Sequence, residues 1–133
     1  MPTVGDGKKR TRRDINHAAI CTLLREQMPI AHAFIEHAAA MPGQGVTSMF
    51  SFGRTFGALQ MALVAVNIPH TIVTAQAWKK AAGIPTGADK EAGRRRALQL
   101  FPGEAAHLAR KRDHARADAM LLACFGPSLP GRP

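Results

Sequence analysis

FIEHAAAMPGQGVTSMFSFGRTFG, residues 34–57, passes from a short apolar run through a loop punctuated by Pro42, Gly43 and Gly45 into a long apolar segment. The run AHAFIEH, residues 31–37, is too short for three helical turns and reads as a buried strand with Glu36 at its carboxyl end. After the loop, residues 47–66 read as a helix, because the apolar character persists over several turns. Gly53 and Gly57 stand one turn apart, where the missing side chains let another backbone come close. We read it as a core helix that can also pack against a second subunit. A strand ending in a carboxylate and leading through a glycine-rich loop into a helix opens an α/β arrangement.

The flanking segments extend the pattern. Residues 1–13, MPTVGDGKKRTRR, are polar and basic, with a turn signal at Gly5-Asp6-Gly7, and read as a strand remnant or an arm leading into the first helix. Asp14 is placed to cap a first amphipathic helix, in which Ile15, Ala18, Ala19, Leu23 and Leu24 recur at helical spacing until Pro29. Downstream, PHTIVT at 69–74 has the β-branched content of a second buried strand, and AQAWKKAAGI reads as a short helix ending near Gly83. Trp78 is expected to anchor that helix in the core. A loop over 84–88 leads to a helix over 89–101 carrying Lys90 and the run Arg94-Arg95-Arg96, which reads as a solvated face. Asp113 is a candidate N-cap for a final helix ending near Phe125, and GPSLPGRP reads as a frayed tail. The sequence thus predicts one α/β domain over 1–125 and a flexible tail over 126–133, with no internal repeat.

At 133 residues the chain suffices for one core. Its formal charge of +9 and pI near 10.8 point to a polyanionic partner, since surface Lys and Arg release counterions from a phosphate backbone. Cys21 and Cys124 sit in apolar helical patterns without metal-ligand spacing and read as structural thiols, as in a reducing cytoplasm. No apolar run reaches the roughly 18 residues of a membrane helix, so no membrane partner is expected.

Together with DHARADAMLLA at 113–123, the opening stretch resembles the RuvC-like Holliday junction resolvases, particularly their phage-type branch. The resemblance implies a ribonuclease H-like (RNase H-like) fold, a mixed sheet flanked by helices, and a homodimer that cuts branched DNA with Mg²⁺ or Mn²⁺. Glu36 matches the family's strand-end Glu, and Asp118 in ADAMLLA its last-helix Asp. Lys79 in AWKKAAG and Lys90 in GADKE match basic positions that contact DNA near the cut. FGRTFG, with Arg54, resembles the start of the family's dimer helix, and the segment holding Phe50 and Phe52 resembles the one that enters the junction.

Two departures accompany the resemblance. The usual partner of the last-helix Asp lies three residues before it, where this chain has Ala115. His114, four residues before Asp118, shares its helix face; Asp113, five before, is turned away and serves as a ligand at a frayed first turn or as the cap. The family also begins with strands carrying an Asp in a DxG-like context, and nothing before Asp14 resembles them. The expected domain is therefore N-terminally truncated and lacks the acid that normally bridges two metals.

The chemistry explains the residue types. Two-metal phosphodiester hydrolysis needs hard oxygen ligands holding ions roughly 3.5–4 Å apart. Glu36, Asp118 and Asp113 are the candidate ligands, with His114 as a further catalytic candidate. The competing reading is a noncatalytic nucleic-acid-binding protein on a resolvase-like fold. A third is a basic helical protein held to nucleic acid by charge alone, with steep salt dependence and no preference for branched duplex. The remaining histidines, His17, His32, His37, His70 and His107, lack ligand spacing and receive no role.

Overall fold

The computed structural model describes residues 15–130. In chain order they form α1 (His17–Glu26), β1 (Ala33–Glu36), α2 (Val46–Ala65), β2 (His70–Val73), α3 (Ala75–Ala81), α4 (Ala92–Leu100) and α5 (His114–Phe125). Short 3-10 turns lie at Pro102–Leu108 and Lys111–Asp113 before α5, and at Gly126–Ser128 after it. Asp14 and the basic arm lie outside the described residues. The cap of α1 is Asn16, whose side chain accepts from the Ala19 amide at 2.9 Å. An Asx side chain was the right chemistry, two residues further along.

β1 and β2 pair in parallel, with Ala33 opposite His70 and Glu36 opposite Val73, and α2 makes the crossover between them. Among the described residues the sheet has these two strands, so the architecture is α/β with a small parallel sheet in place of the larger mixed one expected. α2 closes on Asn67 in the left-handed conformation, at φ 58°, a conformation Asn tolerates better than most residues. The Asn67 and Ile68 amides donate back to the Val64 and Leu63 carbonyls, which turns the chain into β2. α3 ends the same way at Gly83, at φ 79°, where the Gly83 and Ile84 amides return to Lys80 and Lys79.

The main core joins the C-terminal elements. Val73, Trp78, Ala82, Ala97, Leu108, Ala117, Leu121 and Leu122 form one buried cluster, with Phe34, Phe101 and Phe125 packed against it. Small residues on α4 and α5 let the two helices pack closely, while Trp78, Leu108 and Leu121 fill the volume between elements. Trp78 is fully buried, as its place in the sequence suggested.

α2 departs from the expectation of a core helix. Only Ala62 and Leu63 are buried along it, whereas Val46, Phe50, Phe52, Met61 and Val64 are exposed. Its packing partner is α1, itself without a buried residue. A side chain added at Gly53 or Gly57 would meet no other atom within 4 Å, so no described element of this chain comes close there. A helix apolar all round usually signals burial, but the sequence does not say against which surface.

The arginine run is also less solvated than its composition suggested. Arg94 donates to the Leu108 and Ala109 carbonyls and pairs with Glu91 at 2.7 Å. Arg96 Nε donates to the Ala82 carbonyl at 2.8 Å. Arg95 pairs with the exposed Asp89 and, among the described residues, reaches no backbone carbonyl. Past α5, Gly126 is buried and Leu129 packs on the core, so residues 126–130 are docked where a frayed tail was expected. No helix among the described residues is long and apolar enough to cross a membrane.

Candidate active site

The parallel pair ends with Glu36 at the carboxyl edge of β1, and the next segment after β2, α3, starts beside it. Thr74 caps α3 by accepting from the Ala77 amide at 3.2 Å, which fixes the helix directly at the strand end. That places Trp78 under the sheet edge. Its indole Nε1 donates to Glu36 Oε2 at 3.3 Å, so a buried ring restrains an otherwise exposed carboxylate. Lys79 follows on the same turn, with its ammonium over the Trp78 ring at 5.6 Å.

α5 supplies the second carboxylate. Asp118 is half-buried, and burial pushes its carboxyl above the ordinary Asp range; the nearby Glu36 charge adds to the rise, while Lys79 and His114 oppose it. Asp118 is therefore within electrostatic reach of Glu36, Lys79 and His114 together, groups drawn from three separate elements.

Asp118 and His114 open onto a cleft of about 1010 Å³, whose walls are α3, the loop from Gly83 to Lys90 and the start of α4. Lys79, Lys80 and Lys90 line it, as do Gly93 and Asp89. The four-residue spacing on α5 thus brings His114 and Asp118 onto one face, as helix geometry requires.

Asp113 is directed elsewhere. It is only 4% exposed, and its carboxylate accepts from the Arg110 amide at 2.9 Å and from Arg110 Nη2 at 3.1 Å. Those Arg110 bonds hold its carboxyl below the usual range. It occupies the N-cap position of α5, yet its side chain caps no amide of that helix and instead closes the preceding 3-10 turn. Among the described residues no group of three or more His, Cys, Asp or Glu side chains is arranged to hold a metal ion, so the trio Glu36, Asp118 and Asp113 is not assembled. The physical reason is the helix itself, which turns a fifth neighbour away, and Arg110, which captures it. Phe50, Phe52 and Arg54 are exposed on α2 and are not part of the cleft lining.

Two further features were not read from the sequence. Trp78 was expected to be a core anchor only, and its hydrogen bond to Glu36 depends on a contact across 42 residues. Lys80 adds a cleft-lining cation beside Lys79; the paired lysines in AWKKAAG were a visible signal.

Over 113 aligned residues, covering 79% of the chain, the sequence is 33% identical to the chloroplastic Holliday junction resolvase MOC1 of Chlamydomonas reinhardtii. The chain spans 12% of the length of that protein. No family model matches the chain.

Proposed function

We propose that this chain, similar over most of its length to a Holliday junction resolvase, is a structure-selective endonuclease domain that cuts branched DNA by metal-dependent phosphodiester hydrolysis. The observation that carries the reading is Asp118 on the last helix, which opens onto a lysine-lined cleft and lies within electrostatic reach of Glu36 at the strand end. A parallel strand pair joined by a helical crossover, with a carboxylate at its edge and another on the C-terminal helix, also suits an RNase H-like fold of the RuvC-like kind.

The donor set suits Mg²⁺ or Mn²⁺, since Mg²⁺ is commonly held by one or two carboxylates together with water and substrate phosphate. Glu36 and Asp118 would hold the ion, which supplies an activated water and neutralises charge developing on phosphate. The protein's own residues do the rest. Trp78 keeps the Glu36 carboxylate oriented. Lys79, Lys80 and Lys90 attract the DNA backbone into the cleft. His114, on the same face as Asp118, is placed to exchange a proton with a bound water or leaving oxygen. The exposed apolar face of α2 would join two copies, and Phe50, Phe52 and Arg54 would meet the open centre of a junction.

The diversion of Asp113 to Arg110 leaves Glu36 and Asp118 without a third ligand among the described residues, and this favours a second reading, a binding module without catalysis. One experiment separates them. A labelled four-way junction and a linear duplex are incubated with the chain, Glu36→Gln and Asp118→Asn, in Mg²⁺ or Mn²⁺. The nuclease reading expects junction-selective cleavage that both substitutions abolish while binding persists. Tight junction binding without cleavage would leave the binding module, and equal binding of both DNAs would remove junction selectivity altogether.

A further inference from the structure

We infer that Gly93 is a positioning residue for Asp118: α4 passes that carboxylate at Gly93 so closely that a side chain there would displace Asp118 Oδ1. Gly93 is buried inside α4, a helix that packs along α5. A Cβ built on Gly93 would overlap Asp118 Oδ1, with Asp118 Cγ next at 3.6 Å and Leu121 Cδ1 at 3.9 Å. The last two distances are ordinary contacts, so a side chain at Gly93 would be accommodated by turning the Asp118 carboxylate out of its place. A glycine at this point of a helix is unfavourable on its own, because it loses more backbone freedom on folding than alanine. The space it provides is what the arrangement uses: the backbone of α4 lies against the Asp118 carboxylate, and Gly93 and Asp118 both line the cleft.

The inference rests on the proposed role of Asp118, and the thermal half of its test does not. Thermal melts are compared for the chain, Gly93→Ala, Asp118→Ala and the double variant, alongside junction cleavage. Gly93→Ala is expected to lower the melting temperature of the parent and to leave or raise that of Asp118→Ala, where the added methyl finds room and improves helix propensity. In cleavage, Gly93→Ala is expected to reduce kcat by up to about a hundredfold, with KM little changed, as for a displaced reacting group. An equal loss of melting temperature in both backgrounds would overturn the inference, since Gly93 would then serve packing against Leu121. So would an unchanged kcat in a folded Gly93→Ala. If the parent chain does not cut junctions, the nuclease reading fails and the melts alone decide the role of Gly93.

Discussion

Asp118 and Asp113 lie five residues apart and are opposed in their electrostatics. Burial and the charge of Glu36 raise the Asp118 carboxyl above its ordinary value, so the folded chain holds the proton more tightly than the unfolded chain does. Its contribution to stability is fully present below the ordinary Asp range and is lost as pH rises through the raised folded value. We therefore expect Asp118→Asn, which keeps the shape and removes the charge, to raise the melting temperature at neutral pH. The gain should shrink as pH falls below the ordinary carboxylate range, and a lower melting temperature at pH 7 would contradict it. Asp113 behaves in the opposite sense, because Arg110 holds its carboxyl below the ordinary value. Its contribution is present above the ordinary range and is lost as pH falls through the depressed folded value. Asp113→Asn should lower the melting temperature at neutral pH, with the difference vanishing in acid, while junction cleavage by the folded variant stays near the parent rate. Loss of cleavage by a folded Asp113→Asn would return that residue to the active site.

At the scale of elements, the run Arg94-Arg95-Arg96 shows how a charged face becomes a clasp. Arg96 reaches the Ala82 carbonyl at the end of α3, and Arg94 the carbonyls at Leu108 and Ala109, so α4 is tied on both sides to the segments that frame the cleft. A long stem lets a guanidinium reach the unpaired carbonyls at a helix terminus while its methylenes lie on apolar surface. A charge-assisted bond of this kind contributes about 1.5–3 kcal/mol. Chemical denaturation should show Arg96→Ala losing stability in that range, and Arg95→Ala, which gives up only an exposed pair with Asp89, leaving the midpoint nearly unmoved. Comparable losses for the two would mean that Arg96 is no clasp. Consecutive arginines look alike in a sequence. Which of them reaches a carbonyl depends on the crossing of α4 with α3 and with the turn after it.

For the whole molecule, the distribution of apolar surface decides the expectation. The core is gathered between the strand pair and α3, α4 and α5, while α2 exposes Phe50 at 68% and Met61 at 64%. Light scattering is expected to find a dimer that Met61→Ser with Val64→Ser converts to monomer without unfolding the Trp78 core; a parent that is monomeric at high concentration would rule this out. Much of this molecule was legible in the sequence by itself. Strand and helix order followed from local periodicity and from turn residues such as Gly83, because those depend on neighbours a few positions away. Glu36 at a strand end and the shared face of His114 and Asp118 followed from the same local geometry. Tertiary structure alone decided that α2 lies largely outside the core, that Arg110 takes Asp113 from the cleft, and that Trp78 and Gly93 brace the two carboxylates. Apart from the Arg110 pairing, these are contacts between segments distant in the chain, set by how closely elements pack, and a periodic pattern carries information about a face without identifying what will cover it.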